Sequence, residues 1–315
     1  MPSVHVPRLS PEAYQRITLF ALVALGVIVV TGGAVRLTGS GLGCPQWPNC
    51  DAGHLAPHGQ TGYHGAVEFV NRVFTGLVSV AVILAVLGSF VRVPRRRDLT
   101  WLSFGLVVGV LSQIVLGGLT VIYGLSPPWV MAHFLVSMVL LANAVVLHIR
   151  ASRREGPVRS VVAPRVQHMG WLVVALTAVV LFTGTIVTGA GPHGGDENVR
   201  RLDVSVTTAA RVHGVAENVL LISVLVTLWL VIHTHARAVV RRDANVLLVV
   251  LVAQAAVGYA QYFTGVPVVL VGIHILGAVC VWVAALRFAL GMRRVDDTSI
   301  EPTAVATPER VLTAT

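Results

Sequence analysis

The segment His64-Gly65-Ala66-Val67-Glu68 recurs 149 residues later as His213-Gly214-Val215-Ala216-Glu217. Gln113, Gly117, Gly124 and His133 recur as Gln254, Gly258, Gly265 and His274, all at an offset of 141. Thr31-Gly32 with Val35 recurs as Thr183-Gly184 with Val187, at 152. Three matched segments in one order describe two copies of one ancestral unit. Each copy carries two histidines on apolar stretches, and an ionisable side chain inside a bilayer is costly enough to need a function.

Around these segments the 315-residue chain is 55% hydrophobic and 12% charged, with mean hydropathy +0.79. That composition belongs to an integral membrane protein. Apolar runs lie near 16–36, 65–91, 101–123, 129–149, 168–190, 210–232, 245–264 and 267–291. They are about 20 residues long and do not alternate, so they read as helices. The seventh and eighth divide at Gly265-Val266-Pro267, because glycine and proline interrupt a helix.

Arginines fall in alternate loops. One side holds Arg8 and Arg16, Arg92 with Arg95 to Arg97, Arg150 with Arg153 and Arg154, Arg237 with Arg241 and Arg242, and Arg293 with Arg294. The other holds Arg36, Arg200, Arg201 and Arg211, diluted by Asp196, Glu197 and Asp203. The positive-inside rule puts the first set, and both termini, in the cytoplasm. The predicted architecture is an all-α, multi-pass plasma-membrane protein. Its eight transmembrane helices form two tandem pseudo-symmetric four-helix bundles, a parallel rather than an inverted duplication. Residues 1–155 make the N-terminal half, 156–294 the C-terminal half, and the polar stretch 295–315 a disordered cytoplasmic tail. The opening MPSVHVPRLSPEAYQR is too polar for a cleaved signal peptide, so the first span is expected to serve as the insertion signal. The net charge of +9 does not call for nucleic acid, because no basic motif is interleaved with aromatics.

His148, His168, His233 and His235 sit at cytoplasmic ends, His5 in the N-terminal tail and His193 in an outer loop; these read as solvated. His64, His133, His213 and His274 fall within about two turns of the outer ends of the even-numbered spans, at ~1.5 Å per residue. They are therefore expected at one depth. Haem iron takes two axial nitrogens, and helix bundles hold cofactors between facing helices, so bis-histidine haem accounts for two imidazoles per half. Zinc would call for three or four ligands. A cytochrome b-like quinol or ferric reductase would share the histidine pairs but place them at two depths. A transporter would share the duplication without needing the histidines.

His64, Glu68 and Asn71 lie at i, i+4 and i+7 on one helical stripe, followed by Arg72. The corresponding run in the sixth span is Glu217-Asn218-Val219-Leu220-Leu221. The first half is thus expected to carry the reaction and the second a fixed cofactor. Glu68 reads as an acid–base group or as a structural partner of Arg72 or His64. Arg36, Arg72, Arg200, Arg201 and Arg211 are candidates to pair with haem propionates. Cys44 and Cys50 share an outer loop on the side that permits disulfides, either as a loop staple or as a redox-active pair. Cys280, inside the eighth span, reads as a core residue.

The run Gly32-Gly33-Ala34-Val35-Arg36-Leu37-Thr38-Gly39-Ser40-Gly41-Leu42-Gly43-Cys44-Pro45, continued to Cys50, resembles the first span and loop of the haem A synthase family. Glu68 to Arg72, His133, His213 and His274 extend the resemblance over nearly the whole eight-span core. It implies oxidation of the C8 methyl of haem O to the formyl group of haem A by two hydroxylations and a dehydration, in the supply of haem to cytochrome c oxidase. It further implies a haem b cofactor on His213 and His274, and substrate haem O in the N-terminal half with His133 as ligand and Glu68 as the catalytic carboxylate. A haem O synthase and the terminal oxidase are the implied partners besides the lipid bilayer, with an electron acceptor that no residue identifies. Many members carry Glu-x-x-His-Arg in the second span, where this chain has Asn71 at the histidine position. Either His64, about 10 Å along the same stripe, replaces that ligand, or His133 alone holds the substrate iron. The internal repeat favours His64.

Overall fold

Several helix starts in the computed structural model, which describes residues 8–51, 53–58 and 62–295, are set by caps and prolines. Helix α1 (Pro11–Leu37) begins where the Ser10 hydroxyl accepts from the Ala13 amide at 3.2 Å, with proline in the first turn. Helices α4 (Pro127–Ala151) and α5 (Pro164–Ala190) also open on proline. Helix α6 (Val206–His233) opens on Ser205, whose hydroxyl accepts from the Thr208 amide at 3.1 Å. With α2 (Gly62–Val91), α3 (Arg97–Ile122), α7 (Ala238–Phe263) and α8 (Val268–Gly291), eight helices among the described residues are long and apolar enough to cross a membrane. Most start a few residues before the apolar runs, because the cap and not the first apolar residue sets the boundary. Their outward faces carry bare hydrophobics such as Trp101 (75% exposed), Val139 and Val249 (both 68%). Apolar surface on that scale is stable against lipid rather than water. Among the described residues the strands that depart from all-α are a small antiparallel pair, β1 (Val158–Ser160) with β2 (Arg293–Val295).

Helix α1 packs on α2 and α4, and α3 packs on the same two; α5 packs on α6 and α8, as does α7. Between these sets, α8 lies against α1 and α4, and α5 against α4. At that junction the buried Trp282 indole donates to the Met138 carbonyl at 2.9 Å.

The turns α3–α4 and α7–α8 are copies of each other. Gly124 (φ 56°) and Leu125 (φ 56°) match Gly265 (φ 80°) and Val266 (φ 60°). The Leu125 amide donates to the Thr120 carbonyl, and the Val266 amide to the Gln261 carbonyl, each at 2.7 Å. A β-branched valine in the left-handed region is an unfavourable conformer, held because the tight turn demands it. The break between the last two helices falls where the sequence places it.

Loops bearing most of the arginines meet at one end. The Val93 amide donates to the Leu9 carbonyl at 3.0 Å. Arg96 donates to the carbonyls of Arg150 and Arg153, and Arg153 to that of Leu290 at 2.6 Å. At the opposite end the Gly41 amide donates to the Gly195 carbonyl at 2.9 Å, joining the α1–α2 and α5–α6 loops. His193 Nε2 donates to the Val266 carbonyl at 2.8 Å, tying in the α7–α8 turn.

Three side chains differ from expectation. Cys280 is exposed, on the outward face of α8, not in the core. His148 is not solvated but half-buried, with Nδ1 3.1 Å from the Thr18 hydroxyl. His193 braces two loops rather than facing solvent. His5 and the tail from residue 296 lie outside the described residues.

Trp282 serves the junction by volume more than by its hydrogen bond, since the Met138 carbonyl lies within a helix. Trp282→Phe is expected to cost about 1 kcal/mol and Trp282→Ala about 3–5 kcal/mol. Thermal denaturation in detergent should rank wild type above Phe above Ala; equal midpoints for Phe and Ala would show the volume to be irrelevant.

Candidate functional site

A cavity of about 1010 Å³ lies beneath the loops that join at the less basic end. Glu68, Asn71, Arg72 and His133 reach it from α2 and α4, and His213, Glu217 and His274 from α6 and α8. Single small-molecule sites run to roughly 300–1,000 Å³, so this space suits one large ligand or two.

The imidazoles share one manner of packing. A Cβ added at Gly117 would lie 3.4 Å from the His133 ring, at Gly258 3.2 Å from His274, and at Gly184 3.1 Å from His213. Each ring therefore rests against a glycine on the neighbouring helix. Gln113 donates to the His133 carbonyl at 3.2 Å and Gln254 to the His274 carbonyl at 3.0 Å, so the repeat at offset 141 holds in three dimensions. The Thr183 hydroxyl, which donates to backbone carbonyls one turn back, lies 3.0 Å from His213 Nδ1. It is placed to accept from Nδ1–H, which leaves Nε2 with its lone pair, the arrangement that prepares a metal ligand.

His213 and His274 face each other with ring centroids 6.3 Å apart and planes at 74°. A metal–nitrogen bond of about 2 Å on each side, plus half a ring at each end, brings two centroids to about 6 Å. The Nδ1 atoms of His133 and His274 are buried with no hydrogen-bond partner among the described residues. Two opposed imidazoles at this spacing, in a cavity that is mostly apolar with a few charged groups, fit axial ligation of haem iron. No group of three or more His, Cys, Asp or Glu that would hold a bare metal ion occurs among the described residues.

His64 stands apart, which corrects the reading of four histidines at one depth. It is the third residue of α2, whereas His133, His213 and His274 are each seven or eight residues into their helices. Its ring is exposed, its Nδ1 lies 2.9 Å from the Ser40 hydroxyl beyond the end of α1, and it does not line the cavity. Asn71 stands where His64 was expected. The Thr31 hydroxyl donates to Asn71 Oδ1 at 2.8 Å, as Thr183 meets His213 in the other set. The match of His64 with His213 is one of letters and not of position.

Glu68 is 7% exposed and fully engaged. Its Oε2 accepts from the Cys44 amide at 2.7 Å; its Oε1 accepts from Arg72 Nη2 at 2.7 Å and Nε at 3.2 Å. Arg72 also donates to the carbonyls of Cys44, Pro48 and Asn49, at 3.1, 3.2 and 3.1 Å. Cys44 and Cys50 are disulfide-bonded. The carboxylate, the guanidinium and the disulfide loop thus form one unit over the first half of the cavity. The partner of Glu68 is Arg72, not His64. Glu217 has no hydrogen bond or ion pair among the described residues, although its sequence context copies that of Glu68.

Of the candidate arginines, Arg72 is consumed by this lock. Arg201 donates to the Pro192 carbonyl at 2.5 Å, and Arg36 to the Thr188 carbonyl at 2.7 Å with its Nε buried and unpartnered. Arg200 and Arg211 line the cavity with no bond among the described residues, and are the guanidiniums free for an anionic ligand.

Residues 15–193, more than half the chain, match the model of a family described as cytochrome oxidase assembly protein (COX15-CtaA). The chain is 28% identical over 180 residues to a protein named heme A synthase from Alkalihalophilus pseudofirmus, covering 55% of this chain and 60% of that one. It is 27% identical over 174 residues to one of the same name from Exiguobacterium sibiricum, covering 55% and 58%. A third, from Listeria monocytogenes, is 26% identical over 174 residues, covering 54% and 57%. The matched part is under two thirds of these relatives' length.

Because Arg72 ties the disulfide loop down through three carbonyls, Arg72→Ala should free it. Under mild reductant, thiol labelling of Cys44 and Cys50 is expected to be several-fold faster than in wild type, with Arg72→Lys between, since lysine lacks the planar fork. Unchanged labelling would show that the loop is held by something else.

Proposed function

The chain belongs to the cytochrome oxidase assembly protein family, and on that premise we propose that it oxidises the C8 methyl of haem O to the formyl group of haem A. The observation that carries this reading is the facing of His213 and His274 in one half of a large, mostly apolar cavity whose other half holds His133 and a locked carboxylate. In the membrane the eight helices form two tandem four-helix bundles, α1–α4 and α5–α8. The gathering of the arginine-rich loops at one end supports, by the positive-inside rule, a cytoplasmic side for both termini.

In the second bundle His213 and His274 would hold a b-type haem, with Thr183 fixing the tautomer of His213. That haem, when bound, supplies one-electron transfer between the first bundle and an external acceptor. In the first bundle His133 would hold the substrate haem O, with Gly117 giving its ring room. Arg200 and Arg211, at the rim, would pair with propionates, assisted by Arg36.

Glu68 is positioned rather than mobile. Three donors fix both its oxygens, so it offers a fixed negative charge and an acceptor to water or a hydroxylated substrate carbon nearby. The disulfide loop closes this side of the cavity and supplies one of those donors, the Cys44 amide. In this reading Cys44–Cys50 shapes the lid of the reaction chamber.

The test is production of the protein with a haem O source, followed by pigment extraction and mass analysis. Haem A or a hydroxylated haem O is expected from wild type, and at least about 100-fold less from Glu68→Gln. Bound haem O left unmodified by wild-type protein would refute the reaction. His213→Ala combined with His274→Ala should abolish the low-spin signal of the resident haem, and its survival unchanged would remove those residues as ligands.

A further inference from the structure

We infer that the first bundle holds its haem iron through His133 alone, and that Asn71 takes the place of a second imidazole beside an exchangeable sixth ligand, water or a diatomic molecule. The inference rests on the porphyrin-binding reading above and concerns which side chains face the iron.

Internal comparison carries it. In α5 and α6 the pair Thr183 and Gly184 holds one imidazole: the hydroxyl lies 3.0 Å from His213 Nδ1, and a Cβ on Gly184 would lie 3.1 Å from the ring. The matching pair in α1 is Thr31 and Gly32. There the Thr31 hydroxyl bonds Asn71 Oδ1 at 2.8 Å, and a Cβ added at Gly32 would meet nothing within 4 Å. The glycine that makes room for a ring in one set faces open cavity in the other. Gly32, Asn71 and His133 all line that cavity, while His64 does not.

Asparagine is one atom shorter in reach than an imidazole bound through Nε2, and its amide nitrogen has no free lone pair to give a metal. With Oδ1 occupied by Thr31, its Nδ2 is the remaining polar group, and no described residue accepts from it. A neutral N–H donor beside an open coordination position is what stabilises a small bound ligand on a haem with a single proximal histidine. The two bundles would therefore differ in kind: one closed on both faces of the iron, the other open on one.

Protein purified from cells that also make haem O is reduced with dithionite and exposed to carbon monoxide, with the Soret band followed, and the oxidised form is examined by electron paramagnetic resonance. Two haem populations are expected. One is low-spin and ignores carbon monoxide; the other is high-spin, shifts on carbon monoxide, and is lost in His133→Ala. Asn71→His, with Gly32 leaving space for the ring, should convert the second population to low-spin and remove its carbon monoxide response. His64→Ala should leave both populations as they are, and keeps the test sound if Asn71→His does not fold. Two low-spin haems without a carbon monoxide response, or a response that appears only in His64→Ala, overturns the inference while the porphyrin reading stands. A responsive haem indifferent to His133→Ala overturns it too. Protein that takes up no haem in either half overturns both.

Discussion

An imidazole ring within an apolar helix bundle needs room beside its edge and a partner for its nitrogen, and both demands shape this molecule. Room comes from glycine: Gly117, Gly184 and Gly258 each lie where a Cβ would press on a histidine ring. Partners are incomplete. A buried polar atom without one costs about 1–3 kcal/mol, and the Nδ1 atoms of His133 and His274 are both in that state. The repeated α3–α4 and α7–α8 turns, with their left-handed Gly-Leu and Gly-Val pairs, set the register that brings each of these histidines against its glycine. Gln113 and Gln254, spanning to the histidine carbonyls, hold the same register one layer deeper.

Much of this was legible in the sequence because it depends on local chemistry. Apolar runs of membrane length specify helices wherever they occur. Gly265-Val266-Pro267 marks a turn from its own backbone preferences. Offset 141 was reliable because the two helix pairs it relates are joined by identical turns with no room for insertion. The equivalence of His64 with His213 failed for the converse reason. The α1–α2 and α5–α6 loops differ in length and content, so no single offset crosses them. What fixes a position there is the partner on the neighbouring helix, Thr31 or Thr183, and a five-residue segment with three identical positions carries no information about that. Counting 141 back from His213 reaches Arg72, next to Asn71, and would have pointed nearer the truth than His64. The repeats marked Gly117, Gly258 and Gly184 but not the rings they face, since glycine is common in membrane helices for packing alone, and the grip of Arg72 on three loop carbonyls had no signature in one sequence.

The two halves keep one frame and spend it differently, and the clearest sign is the pair of glutamates. Glu217 follows His213 by four residues, lines the cavity and has no partner among the described residues. Glu68 is held by the Cys44 amide and the Arg72 fork, under a disulfide loop without counterpart in the α5–α6 connection, which has no cysteine. An ion pair with one buried and one half-buried partner is a modest source of net stability, because the loss of hydration offsets much of the attraction. Its worth lies in geometry. It couples the one covalently closed loop to the one helix whose inward face presents an amide where its counterpart presents an imidazole. A fixed carboxylate, a shaped lid and an open face of the cavity occur together in the same half. Two opposed imidazoles, with neither lock nor lid, occur in the other. A duplicated bundle that merely bound two copies of one ligand would have no reason to diverge at all three points on the same side.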